Sequence, residues 1–148
     1  MNVQQFLQQT TRVSKGYYGF YEKVRPHITC KDGFNVSVQA GLFGGWYDSI
    51  EVSHGLGSGY VHFNEVELGF PNMEDDLIKE YAEEATKEGP DGEDVQDYLH
   101  TVYPYVPIEV VEKLIEKHGG IDEEKTTTEP PTVKDSITYI TRYEDVIY

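Results

Sequence analysis

Apolar residues along this chain change period several times, and each change predicts an element. In residues 101–120, TVYPYVPIEVVEKLIEKHGG, Val110, Val111, Leu114 and Ile115 recur at the i, i+1, i+4, i+5 spacing of one helical stripe. Glu109, Glu112, Lys113, Glu116 and Lys117 are left for solvent. Pro107 opens such a helix because its missing N–H falls where no intrahelical bond is needed, and Gly119 with Gly120 closes it through a left-handed cap. The pattern predicts a helix over residues 108–118 whose stripe lies on a sheet.

Strand patterns precede it. Residues 2–10 predict a short helix with Val3, Phe6 and Leu7 on one side, and the aromatic run at 17–24 predicts a strand or extended packing segment. Residues 27–39 predict a hairpin about Lys31-Asp32-Gly33, because Asp-Gly suits the positive φ of a tight turn. In its second arm Phe34, Val36, Val38 and Ala40 alternate with Asn35, Ser37 and Gln39, the mark of a half-buried strand. WYDSIEVS reads as a strand between glycine-rich stretches, and residues 61–68 as a strand with a bulge.

Asn72 then caps an expected helix over residues 73–87, with Leu77, Ile78, Tyr81, Ala82 and Ala85 as its buried stripe. Gly89-Pro90-Asp91-Gly92 ends it, and residues 93–102 predict a second short helix. Residues 122–135 form a polar, proline-containing linker, and β-prone residues 136–148 predict a last strand that pairs with its own sheet or, in a homodimer, with another copy. The expected fold is α+β: a single domain over residues 1–121, mostly antiparallel sheet, with two or three helices packed on one face.

Composition narrows the chemistry. A chain of 148 residues is large enough for one core without staples. Cys30, the sole cysteine, has no disulfide partner, and no Cys/His cluster has zinc spacing, so a reducing cytoplasm and no metal or cofactor are expected. No apolar run approaches the roughly 20 residues of a membrane span, so no membrane contact is expected. The formal net charge is −15 and is regional: residues 74–124 hold 17 acidic against four basic residues, a net of −13. Such a field repels nucleic acid and membranes and attracts basic clefts, although solvated surface explains acidity equally well.

Motifs for catalysis are weak. The glycine runs GLFGG and HGLGSGY lack a dinucleotide fingerprint and a Walker lysine, so they read as turns. His54 and His62 flank one of them and would face each other as metal ligands, but no third ligand completes a spacing. His27 and Cys30, three apart on a strand, point to opposite faces. Asp91, Glu93, Asp94 and Asp97 hint at calcium without the ligand order of an EF-hand.

DGFNVSVQAG, VELGFP, EYAEE and TVYPYVPIEVVEKLIEKHGG resemble a family of small proteins encoded in phage and prophage genomes, over residues 27–121. The glycine-rich stretch at 42–60 and the segment 136–148 depart from that family. The resemblance implies a compact α+β fold and the cytoplasm of an infected bacterium, and carries over no catalytic residue. Carboxylates along a helix can imitate a run of phosphates. Charge and setting together lead to the expectation of a non-enzymatic acidic viral protein, an anti-CRISPR or anti-restriction inhibitor acting by DNA mimicry on a host protein with a basic nucleic-acid-binding cleft. Its expected contact surface is Glu74, Asp75, Asp76, Glu80, Glu83, Glu84, Glu88, Asp91, Glu93, Asp94 and Asp97. Two alternatives remain: a small-ligand-binding or sponge protein using Trp46, Tyr47, His54 and His62, and a phage structural or assembly protein using residues 136–148 for strand addition.

Overall fold

The Asp-Gly turn forms as its chemistry requires. In the computed structural model, which describes residues 1–10, 12–16, 19–22, 25–40, 49–55, 58–126 and 145–147, Gly33 sits at φ +95°, a conformation that costs other residues a clash at Cβ. The Cys30 amide donates to the Phe34 carbonyl at 2.7 Å, and the Gly33 amide to Cys30 at 2.9 Å. Strands β3 (Ile28–Thr29) and β4 (Asn35–Gln39) flank the turn, with Ile28 opposite Val36. Val36 and Val38 are buried while Asn35 and Ser37 are half-buried, so the period of two holds to Val38. Gln39, expected on the wet face, is buried instead because its side chain bonds the Arg25 backbone, accepting from its amide at 2.8 Å and donating to its carbonyl at 2.9 Å.

Strand β6 (Ser58–Gly69) organises the main sheet because at twelve residues it is long enough to change partners along its length. Its first part pairs with β5 (Ser49–Gly55), and its last part lies between β4 and β9 (Val102–Pro107), all antiparallel. The order is β3-β4-β6-β5, with β9 also on β6. A second sheet pairs β1 (Arg12–Gly16) with β2 (Gly19–Glu22) and with β10 (Asp145–Ile147), so this end of the expected last strand pairs within its own chain. A third is the small hairpin β7 (Thr86–Glu88) and β8 (Asp94–Gln96). The expected α+β class with mostly antiparallel sheet is therefore the observed one.

Helices α1 (Val3–Gln9) and α2 (Ile108–Lys117) pack against each other and over β6. Asn2 and Gln5 form a capping box at the start of α1. Gln4 then clamps α1 to β6, its Nε2 donating to the Phe63 carbonyl at 3.0 Å and its Oε1 accepting from the Phe63 amide at 2.9 Å. At the other end of α2, Gly120 donates to Ile115 at 2.9 Å and Gly119 to Glu116 at 3.0 Å, the paired bonds of a Schellman cap with Gly119 at φ +94°. Ile108, Val111, Leu114 and Ile115 are the buried stripe, and Val110 packs at its margin.

Two expected helices are absent. Residues 73–78 turn, a single 3-10 turn follows at Lys79–Tyr81, residues 82–85 extend, and β7 begins at Thr86. Of the expected stripe only Ile78 is fully buried. Asp76, Glu80 and Glu84 would stand at i, i+4 as like charges, which opposes a helix. Asp75 offers the backbone another course: its Oδ1 accepts the Leu77 amide at 2.9 Å, the local bond that draws Asp out of helices. Residues 93–102 likewise give β8 and a run of bends instead of a helix.

Candidate functional site

The acidic stretch is carried by that turn and by the β7–β8 hairpin. Its backbone is pinned to the end of β9: the Glu83 amide donates to the Val102 carbonyl at 2.9 Å, and Thr101 Oγ1 donates to the Glu83 carbonyl at 2.9 Å. Gln96 spans the gap, donating to Glu83 O at 2.9 Å and accepting from the Ala85 amide at 3.3 Å. Glu74, Asp76, Glu80, Glu83, Glu84, Glu88, Asp91, Glu93 and Asp94 are exposed. Within the hairpin Glu88 stands directly opposite Asp94, a like-charge pairing that disfavours the ladder. Lys79 offsets part of the field, lying 3.2 Å from both Glu74 and Asp76 and 5.0 Å from the Tyr98 ring centre. Asp76 first, then Glu74, hold the Lys79 ammonium above its ordinary range.

Asp75 and Asp97 do not belong to this surface. Asp97 is buried, with Oδ1 accepting the Leu99 and His100 amides at 3.0 and 3.1 Å and Oδ2 lying 2.9 Å from His100 Nδ1. Burial raises its pKa, but those bonds outweigh burial and hold the carboxyl below the ordinary range. Asp75 is only 5% exposed and enters a cluster that the sequence did not announce. His118 Nε2 lies 2.8 Å from Asp75 Oδ2, and His118 Nδ1 lies 2.6 Å from Asp32 Oδ2. Lys117 Nζ completes it at 3.0 Å from Asp75.

The His118 ring is stacked on Phe34, centres 4.1 Å apart and planes 10° from parallel. The cluster joins the α2 C-terminus, the β3–β4 turn and the loop after β6. For Asp75, burial opposes ionisation, and the Leu77 amide, Lys117 and His118 together overcome it and depress the pKa. For Asp32, the Phe34 amide and then His118 do the same. Both ring nitrogens of His118 thus lie within hydrogen-bond distance of a carboxylate, while Asp75 also accepts from Lys117 and the Leu77 amide and Asp32 from the Phe34 amide.

The other histidines and the thiol are placed by the same elements. In the β5–β6 ladder His54 aligns with Gly59 and His62 with Glu51, so the two histidine positions are three apart along the ladder, about 10 Å, and are not paired across it as expected. Among the described residues no three His, Cys, Asp or Glu side chains gather as metal ligands. The expected ligand-site residues Trp46 and Tyr47 lie outside the described residues. Cys30 is buried, and burial, with a smaller effect from Asp32, pushes its thiol up to about 11. Between α1 and the α2 C-terminus a cleft of about 360 Å³ is lined by Met1, Asn2, Glu112, Ile115, Glu116, Gly119 and Gly120. Glu112 there accepts the Val3 amide, and burial raises its pKa.

No described helix is long and apolar enough to cross a membrane. Searches of protein-family models, of curated proteins and of solved structures return no match for this chain.

Proposed function

We propose that this chain is a non-enzymatic acidic protein that occupies the basic nucleic-acid-binding cleft of another protein, and that in the phage setting its sequence suggests the target is a host defence nuclease of restriction or CRISPR type. The observation that carries this reading is the display of nine exposed carboxylates between Glu74 and Asp94. Over the same stretch Lys79 and Lys87 are the only cations. The hairpin keeps Glu88 across from Asp94 against the preference of a two-stranded ladder, which fits a surface selected for its field more than for its stability. Mimicry here does not use a helix: turn and hairpin carry the charges, anchored through backbone bonds to β9.

The test is inhibition of plasmid cleavage by a panel of purified restriction and CRISPR effector nucleases. The reading predicts that at least one is inhibited and that inhibition weakens steeply as salt rises, because exposed charges are screened over about 8 Å at physiological ionic strength. Inhibition indifferent to salt, or none across the panel, would refute it.

A further inference from the structure

In the loop after β6, residues 70–78, two polar side chains, Asn72 and Asp75, serve as anchors, while Glu74 and Asp76 are exposed. Asn72 accepts from the Asn35 amide at 2.9 Å and donates from Nδ2 to the Gly33 carbonyl at 2.9 Å, while its own amide donates to the Asn35 carbonyl at 3.0 Å. Asp75 is held by Lys117 and His118 as described above. Pro71 and Ile78 are buried, but Phe70, Met73 and Leu77 face outward at 52, 39 and 36% exposure. Tyr105 is the one other large hydrophobic exposed to this degree among the described residues.

Single surface apolar residues need no explanation. Three within eight residues, on a loop whose Asn72 and Asp75 are tied inward, are a different matter, because solvation favours the opposite arrangement. Phe70 also holds φ +50°, a region that a bulky L-residue enters only at a cost. The loop is thus fixed from beneath in a form that keeps these side chains in water.

The surroundings state what would cover them. Glu74, Asp76, Glu80, Glu83 and Glu84 are exposed in and beside the loop, with Lys79 as the single cation among them. An anionic surface, whether lipid or nucleic acid, is repelled from such a rim. The complement is an apolar pocket ringed by lysine or arginine on a protein. We infer that Phe70, Met73 and Leu77 are apolar anchors that enter such a basic-rimmed pocket on the partner. This rests on the reading of the acidic stretch as a protein-binding face and adds what charge alone lacks. Rim carboxylates steer the encounter and set its salt dependence, and buried apolar anchors hold the complex.

The full chain would be titrated with three fluorescent synthetic peptides: an amphipathic leucine–lysine helix, its leucine–glutamine counterpart, and oligolysine. The leucine–lysine peptide is expected to bind at least about ten-fold tighter than either of the others. Phe70→Gly combined with Leu77→Ser should erase that advantage and leave oligolysine binding unchanged. Glycine suits the positive φ at position 70, so the variant should keep its fold, with an unchanged melting temperature as the control.

Equal binding of leucine–lysine and oligolysine peptides by wild type and variant would overturn the anchors while leaving the acidic face standing. Failure of both lysine-bearing peptides to bind would overturn the acidic face and the anchors together. Leucine–glutamine binding as tight as leucine–lysine binding would overturn the charged rim. A concentration-dependent dimer, or capture on phosphatidylcholine vesicles, lost in the Phe70→Gly, Leu77→Ser variant would give the patch to a second copy or to lipid and likewise overturn the inference.

Discussion

Asp75→Asn tests the buried cluster at the end of α2. The substitution keeps shape and keeps an oxygen to accept the Leu77 amide, but it places an amide nitrogen against the Lys117 ammonium, donor against donor. At neutral pH it removes charge-assisted hydrogen bonds now 2.8 Å from His118 and 3.0 Å from Lys117. Each such bond contributes about 1.5–3 kcal/mol, and breaking a buried ion pair from one side costs about 3–5 kcal/mol. Lys117 is half-exposed and can turn to water, so the lower end applies, about 3 kcal/mol. For a chain of this length that is a fall of roughly 6–12 °C in melting temperature.

The sign with pH is fixed by the direction of the shift. Asp75 is depressed in the folded state, so its stabilisation is complete above the unfolded value of about 3.9 and is lost as pH falls through the folded one. Asp32 shifts the same way, but it is present in both proteins and largely cancels in their difference. Urea unfolding of wild type and variant should therefore differ by about 3 kcal/mol at pH 7 and converge to less than about 1 kcal/mol toward pH 2. A gap under about 1 kcal/mol at pH 7, or one that does not close in acid, would refute the cluster's role.

Leu114→Asp should destabilise by about 4 kcal/mol or more, because Leu114 is fully buried beneath α2 and an unpaired carboxylate there has no partner; near-normal thermal melting would mean that the stripe is not core. Glu88→Lys should stabilise by about 0.5 kcal/mol, replacing the repulsion across from Asp94 by attraction, and a lower denaturation midpoint would contradict that register. Cys30, buried with its thiol raised to about 11, should resist iodoacetamide at pH 8 in the native protein and react promptly in urea; rapid native labelling would show that the β3–β4 turn opens.

What could be read in advance depended on whether a segment's fate was decided locally. Helix α2 was legible because Pro107, the stripe and Gly119-Gly120 all act within one short stretch, and the β3–β4 hairpin because Asp32-Gly33 specifies its own turn. The segment 73–87 was misread because apolar spacing suggested a helix while Asp75 was claimed by groups distant in sequence, Lys117 and His118. Strand β9 escaped notice because Pro104 and a register shift beside Tyr105, itself at φ +53°, interrupt the alternation. Strand β7 is exposed at every residue and so carries no alternation at all. Of the candidate surface, nine carboxylates were placed in solvent as expected; Asp75 and Asp97 were not, since their burial is set by partners that composition does not reveal.

The most direct test of an acidic face that displaces nucleic acid is competition with labelled duplex DNA for an inhibited nuclease, comparing wild type with the Glu80→Lys, Glu83→Lys, Glu84→Lys variant. All three positions are exposed, so the variant should melt as wild type does. Wild type should displace the DNA, more weakly as salt rises, and the charge-reversed variant should fail to displace it at any salt. Displacement by the variant equal to wild type, or wild type bound together with DNA in a ternary complex, would contradict the proposed function.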